Sequence, residues 1–222
     1  DSGRSVEYWA QELSWTPQNL EAWQQLTSMS EEEAREALAP IYANRSRREP
    51  EWWDEAAYTG ANQPVVGVTW FEARAYCAWL AERLHETGCS LPVWQDGTLD
   101  TLTLPPEALT ARLPTEAEWE ATARGGASRI YPWGDEFDPG FANTVEGRVL
   151  GTTPVGVYPQ GTGPLELEDG AGNVWEWTTS RFEPYPYRPH DGREDPEVGG
   201  RRVLRGGSWD LSRRLARCAV RS

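Results

Sequence analysis

The sequence contains no lysine and few of the residues that build catalytic metal sites. All 21 basic residues of the 222-residue chain are arginine, which is typical of a GC-rich bacterial genome. The only histidines are His85 and His190, so this chain alone cannot supply a three-histidine site. Three cysteines, at Cys77, Cys89 and Cys218, are too few and too odd in number for a disulfide scaffold, and none forms a CxxC pair. A reducing compartment is the simpler interpretation.

Long apolar runs are also missing. No stretch approaches the roughly 18 apolar residues that would cross a bilayer, and the chain as given does not start with a charged-then-apolar signal peptide. We therefore expect a soluble, cytoplasmic protein that does not insert into membranes. The net charge of −14 argues against a general affinity for nucleic acids or anionic membranes.

The charge is unevenly distributed along the chain. Residues 201–222 carry seven arginines against one acid, Asp210, a net charge of +6 that leaves −20 on residues 1–200. This basic end is an active-site segment, a ligand-binding surface or only a basic edge that neutralises an acidic domain. The composition, with 38% hydrophobic residues, 13 tryptophans and 17 prolines, is typical of one irregular, loop-rich globular domain.

Capping signals predict helices at four places. Ser30 with Glu33 has the spacing of a capping box within the acidic first 60 residues, where Thr16-Pro17 predicts another helix start. The same signal precedes "WFEARAYCAWLAERLHETG", whose spacing predicts that one face, including Tyr76 and Trp79, packs on the core. It recurs in "RLPTEAEWEATARGG". Glycine ends each of the last two helices.

Strand signals lie between and after these two helices. "CSLPVWQDGTLDTLTLPPEAL" predicts a hairpin that turns at Asp96-Gly97. After residue 125, strands are predicted in "YPWGDE", "TTPVGVYP", "GNVWEWTTS", "RRVLRGGSW" and "LARCAVRS". The pattern as a whole predicts an α+β domain.

Five ordered stretches between about residue 62 and the end resemble the formylglycine-generating enzyme and sulfatase-modifying-factor domain. They are "QPVVGVTWFEARAYCAWL", "RLPTEAEWEATARGG", "YPWGDE", "GAGNVWEWT" and "RVLRGGSW" followed by "RCAVRS". The resemblance implies a C-type-lectin-like fold over residues 61–222, with two main helices and short antiparallel strands, and a helical part or extension, residues 1–60, packed on it. The opening strands of the family and its final "NxGFR" strand have no visible counterpart, which suggests a truncated or gapped chain or an unusual N-terminal arrangement.

The stretch "EDGAGNVWEW" predicts a calcium site through this resemblance. Calcium takes six to eight oxygens from carboxylates and carbonyls. The positions that hold the ion in the family fall on the side chains of Asp169 and Glu176 and on the carbonyls of Gly172 and Val174. The alternative is that the two carboxylates only form hydrogen bonds within a loop.

The catalytic residues of the family have no counterpart in this chain. Members that generate formylglycine hold copper(I) with two cysteine thiolates between "GGS" and "RCA", and here that interval reads "WDLSRRLA". The ergothioneine-synthesis branch uses iron held by three histidines, which the chain lacks. Cys218 matches a position that is usually structural, which predicts a buried thiol on a scaffold strand. We therefore expect no catalytic residue.

Binding is the function that remains. Non-catalytic relatives include the variable proteins of diversity-generating retroelements, whose diversified positions follow "RGGSW". The corresponding residues combine an aromatic ring, arginines and short polar groups, which suits a binding surface for a protein or peptide: Trp209, Asp210, Leu211, Ser212, Arg213, Arg214, Leu215 and Arg217. The alternative is a metal-dependent oxidoreductase of the formylglycine-generating or ergothioneine-synthesis type, with part of its site outside this chain. The oligomeric state stays open.

Overall fold

The structure is a computed structural model of the chain. It describes residues 49–95, 98–105 and 109–222, and residues 21, 24, 25, 28–30, 32, 33 and 36 of the first 48. The chain divides into two compact units, one made of Asp1–Glu51 with Glu183–Tyr187 and the other of Trp52–Phe182 with Arg188–Ser222.

In the first unit, the predicted capping box at Ser30 and Glu33 is confirmed. The backbone N–H of Ser30 donates to the Glu33 carboxylate at 2.8 Å, and the N–H of Glu33 donates to the Ser30 hydroxyl at 3.3 Å. Glu33 is helical. The predicted start at Thr16-Pro17 lies outside the described residues.

The longest helix of the second unit, α1, spans Trp70–Thr87. Its N-terminus carries the predicted capping box, in which the Thr69 N–H donates to Glu72 at 2.6 Å and the Glu72 N–H donates to the Thr69 hydroxyl at 3.3 Å. Gly88 ends the helix with an N–H donated to the Leu84 carbonyl at 2.8 Å. Both ends of the helix therefore follow from local sequence signals.

The face that α1 buries differs from the prediction. Tyr76 and Trp79 are 59% and 51% exposed, and their rings contact each other at 5.6 Å. Trp70 is the buried residue of the helix, and its indole N–H donates to the Thr178 carbonyl at 2.9 Å. The predicted core face was wrong for Tyr76 and Trp79, whereas Cys77, Leu80 and Leu84, which were predicted on the same face, are half-buried.

The second helix, α2, spans Glu116–Arg124 and is capped by Thr115 and Glu118 in the same way. Its Trp119 and Ala123 pack with Cys218 in a small buried cluster. Cys218 is a free, buried thiol, as predicted, and burial raises its pKa to about 11. A second cluster consists of three alanines, Ala142, Ala171 and Ala216. The buried clusters of the described residues are thus small. One joins α2 to Cys218, and the other joins three loop residues.

Two antiparallel strand pairs complete the described structure. Strands β1, Cys89–Gln95, and β2, Thr98–Leu104, form the predicted hairpin, whose turn lies outside the described residues. Strands β3, Glu176–Arg181, and β4, Arg202–Arg205, pair with an irregularity between Trp177 and Arg181. The predicted α+β class is confirmed.

The other strand predictions after residue 125 were wrong. "YPWGDE" contains one isolated bridge, between Tyr131 and Gly134, and "TTPVGVYP" forms turns before a 3₁₀ helix, Pro159–Gly161. "LARCAVRS" also forms turns, although Ser222 exchanges two backbone hydrogen bonds with Leu204 at 2.9 and 3.1 Å. Cys218 is therefore buried without lying on a strand. Within the described residues, none of the helices combines the length and the apolar composition that a bilayer crossing requires.

Candidate functional site

The predicted binding segment forms a loop that folds back on the end of β4. We call residues 209–217 the C-terminal loop. It follows Gly206 and Gly207, both at positive φ. A Cβ atom on Gly207 would lie 2.9 Å from the Leu215 carbonyl oxygen, so the close return of the loop requires glycine there.

The backbone of the C-terminal loop is fixed to three neighbouring segments. The Trp209 N–H donates to the Asn173 carbonyl at 3.0 Å, and the Leu211 carbonyl accepts from the Val145 N–H at 3.1 Å. The Arg213 N–H donates to both carboxylate oxygens of Glu146 at 3.0 and 3.1 Å, and its carbonyl accepts from the Tyr131 hydroxyl at 3.2 Å. The loop conformation is therefore held by its main chain.

Most side chains of the loop face solvent. Those of Asp210, Arg213, Arg214, Leu215 and Arg217 are exposed, and those of Trp209, Leu211 and Ser212 are half-buried. The structure thus brings all eight predicted ligand-binding residues onto one loop, with the charged ones outermost. An anchored main chain with exposed side chains can vary its surface chemistry at little cost in stability.

A small cleft lined by tryptophans adjoins the loop. Its volume is about 210 Å³, and the loop contributes Trp209 to its wall. The Trp177 indole N–H donates to the Val68 carbonyl at 3.1 Å, which joins two sides of the cleft. The remaining lining residues come from three separate stretches: Val65, Val66, Gly67, Asn173, Val174, Trp175 and Ser208.

Sequence reasoning did not assign this cleft to the site. The available signal was that "VVGV", "NVW" and "GGSW" all lie within motifs of the family resemblance. The Ser208 hydroxyl, which lines the cleft, donates to the Asp210 carboxylate at 2.6 Å. That contact fixes the first turn of the C-terminal loop.

Other arginines of the C-terminal segment lie in the interior. Arg205 is fully buried and its Nη2 lies 3.2 Å from Glu116 and 2.9 Å from Glu120. Arg221 also donates to Glu116, at 2.9 Å. Arg202 stacks over the Trp70 ring at 4.3 Å. These residues belong to the scaffold of the domain and not to its exposed surface.

The predicted calcium-binding turn has an unusual backbone. Asp169, Gly172 and Asn173 all have positive φ, at 52°, 79° and 62°. A Cβ atom on Gly172 would lie 2.1 Å from the Asn143 carbonyl oxygen. The Asn173 carbonyl accepts from the C-terminal loop, while those of Gly172 and Val174 accept no backbone hydrogen bond from the described residues. The carbonyl oxygens on either side of Asn173 thus have no backbone donor within the described residues.

Burial disfavours the charged forms of the Asp169 and Glu176 carboxyl groups. Burial raises the pKa of Glu176 to about 7, the Trp119 indole N–H at 2.7 Å opposes the shift, and the charge of Asp169 adds to it. Burial also raises the pKa of Asp169, against a hydrogen bond from Asn173 at 2.8 Å. The donor set of two carboxylates and two carbonyls suits the oxygen preference of calcium.

The residues of other metal chemistries are dispersed. Within the described part of the chain, no three His, Cys, Asp or Glu side chains form a group that could hold a metal ion. His85 is exposed, and its Nε2 lies 2.7 Å from the Leu109 carbonyl. Cys77 is half-buried, and burial raises its pKa. A site that takes half of its ligands from the backbone is compatible with this distribution.

Comparison with known proteins gives consistent matches. The sulfatase-modifying factor enzyme 1-like domain matches residues 7–222, which also takes in most of the first 60 residues. The chain is 35% identical over 170 residues to hercynine oxygenase of Mycobacterium tuberculosis, covering 73% of this chain and 33% of that protein. It is 39% identical over 165 residues to the formylglycine-generating enzyme of Streptomyces coelicolor, covering 67% and 42%.

The chain therefore spans between a third and about two fifths of the length of these curated relatives. Among solved structures, it is similar to Treponema denticola variable protein 1. The TM-score is 0.53 at 26% sequence identity, and the likeness covers 75% of this chain and 67% of that one.

Proposed function

Because the chain belongs to the sulfatase-modifying factor enzyme 1-like domain family, we propose that it is a non-catalytic member that binds a protein or peptide through its C-terminal loop. The observation that carries this proposal is the construction of the loop, whose main chain is bonded to three other segments while its charged side chains are exposed. Arginine and tryptophan in such a setting contribute strongly to binding.

The likeness to the variable protein supports a finer proposal. The predicted C-type-lectin-like fold is confirmed, and that structural neighbour is a variable protein by its own description. We assign the chain to the same functional type, the variable proteins of diversity-generating retroelements, with residues 209–217 as the varied surface. The test is genomic. A near-copy of the terminal coding region that differs at adenines should lie near the gene, and its absence would contradict this assignment.

A structural calcium ion is the second part of the proposal. Asp169 and Glu176 would hold it with their side chains, and Gly172 and Val174 with their carbonyls. The ion would supply the positive charge that the two desolvated carboxyls need. Since the Asn173 carbonyl between these ligands accepts from the C-terminal loop, calcium would also hold that loop in place.

Peptide selection tests the binding function directly. Peptides selected from an unbiased displayed library on the wild-type protein should lose at least about tenfold in affinity when loop side chains are truncated. The variant carries alanine at Arg213, Arg214 and Leu215, which are exposed. A matched control carries alanine at Arg83 and Glu86, an exposed ion pair on α1. If the selected peptides bind the loop variant and the control equally well, the loop is not the binding surface.

The alternative is a metal-dependent oxidoreductase, as the names of the two curated relatives indicate for those proteins. Against it stands the interval 209–217, which contains neither cysteine nor histidine. Incubation of the protein with copper and a cysteine-containing sulfatase peptide should yield no formylglycine by mass spectrometry, even where copper oxidises the thiol to a disulfide. Formation of formylglycine would establish the enzyme function instead.

A further inference from the structure

Three arginines of the C-terminal loop form an exposed positive patch on an acidic protein. Arg213, Arg214 and Arg217 are exposed, and within the described part of the chain no ion pair involves their guanidinium groups. Arg83 and Arg112 differ, since each lies within 2.8 Å of a glutamate, whereas Arg148 and Arg188 are exposed but lie far apart in the sequence from each other and from the loop. We call Arg213, Arg214 and Arg217 the cationic patch.

Apolar side chains border the cationic patch on both sides. Leu215 lies within it and is exposed. Val145 is exposed and bonded through its N–H to the Leu211 carbonyl, and Ile130 is exposed and bonded through its carbonyl to the Cys218 N–H. The surface therefore offers positive charge and apolar contact area together.

We infer that this face binds an acidic segment of another protein, in which carboxylates alternate with apolar side chains. The inference rests on the proposed function and adds the chemistry of the ligand. Guanidinium groups bind carboxylates in a bidentate manner, and the charge of −20 on residues 1–200 would repel a polyphosphate chain that extends beyond the patch. A short segment with a few carboxylates balances the positive charge of the patch. The apolar side chains of that segment can then contact the apolar side chains that border the patch.

Two synthetic peptides probe this chemistry by fluorescence anisotropy. One alternates glutamate and leucine, and the other has glutamine in place of every glutamate. The glutamate peptide should bind the wild-type protein at least about tenfold more tightly than the glutamine peptide. Its affinity should fall at least about tenfold between about 50 and about 300 mM salt, because exposed charges are screened. Equal binding of the two peptides would overturn the inference.

Two double variants separate the patch from the overall charge. Arg213→Ser with Arg214→Ser removes two charges from the patch, and Arg83→Ser with Arg188→Ser removes two exposed charges elsewhere. The patch variant should bind the glutamate peptide at least about tenfold more weakly, whereas the control should stay within about twofold. Equal losses would show a nonspecific charge effect, and tighter binding of a single-stranded DNA probe would assign the patch to nucleic acid. Either result overturns the inference.

The outcome for the proposed function is distinguishable. If library-selected peptides depend on the C-terminal loop but carry no acidic residues, the loop is a binding surface and the acidic partner is wrong. If neither the selected peptides nor the glutamate peptide depend on the loop, both proposals fail.

Discussion

The arginines within the last 21 residues fall into two groups that differ in burial. Arg202, Arg205 and Arg221 lie largely in the interior, whereas the cationic patch, Arg213, Arg214 and Arg217, is exposed. Arg205 and Arg221 pair with Glu116 of α2, far away in the sequence, and Arg202 donates to nearby carbonyls. The exposed group is attached to a loop held by its main chain. The basic end of the sequence is therefore both a scaffold and a displayed surface.

The buried group shows how the scaffold is closed. Glu116 is fully buried and lies within 3.4 Å of Arg193, within 3.2 Å of Arg205 and within 2.7 Å of Arg221. Arg205 also donates to the carbonyl of Cys218 at 2.9 Å. One carboxylate on α2 thus ties together β4, the end of the chain and the segment around residue 193. Burial of such charges is tolerated only when all of them are paired.

Removing a buried arginine should give the largest effect. Arg205→Met leaves part of the Glu116 and Glu120 charge without its partner, so we expect a loss of about 3–5 kcal/mol in the free energy of unfolding. Arg214→Met, the same change in the cationic patch, should stay within about 0.5 kcal/mol. Urea denaturation measures both. Similar losses in the free energy of unfolding for the two variants would contradict the distinction between the buried and the exposed arginines.

Calcium removal extends the comparison to buried acids. Arg205 and Arg221 have a carboxylate partner, whereas Glu176 has a tryptophan N–H and another carboxylate nearby. Calcium at about a hundredfold over its Kd should therefore stabilise the wild-type protein by about 2.7 kcal/mol relative to EDTA. Glu176→Gln should remove that difference. A melting temperature that does not respond to EDTA would remove calcium from the proposal.

Glu176 also predicts a pH dependence in EDTA. Its pKa is raised to about 7 in the folded protein, so its stabilising contribution is complete below about pH 4.5 and is lost as the pH rises through about 7. The free energy of unfolding should fall by about 2 kcal/mol between about pH 5 and pH 7 on this account. Glu176→Gln should flatten that part of the curve, and saturating calcium should do the same for the wild type. A wild-type profile identical to that of the variant would contradict the raised pKa.

Local signals in the sequence predicted the helices and the hairpin well. The capping boxes at Thr69 and Thr115 and the Asp96-Gly97 turn signal between β1 and β2 depend on residues only a few positions apart. Whether an arginine is buried or exposed does not depend on such neighbours. The partners of Arg205, Glu116 and Glu120, lie 89 and 85 positions away in the sequence. The eight residues of the ligand surface were predicted from the family resemblance, but the cleft beside them depends on three segments that meet only in the fold.

The exposed pair Arg112–Glu118 should give the smallest effect. The two guanidinium nitrogens donate to the two carboxylate oxygens at 2.7 Å, and this hydrogen bonding lowers the pKa of Glu118 to about 2. The contribution of this ion pair to the free energy of unfolding is therefore complete above about pH 4.5 and is lost as the pH falls through about 2. Since the Glu118 side chain is 48% exposed, solvent screens the pair and Glu118→Gln should cost less than about 1 kcal/mol at pH 7.

Glutamine at this position keeps an oxygen for the Thr115 N–H, so the substitution removes the charge and preserves the capping box. Urea denaturation at about pH 7 and about pH 3 should show the difference between wild type and variant closing at the lower pH. A loss as large as that of Arg205→Met would mean that burial is not what separates the two groups of arginines. The stability of the domain would then depend on its surface ion pairs.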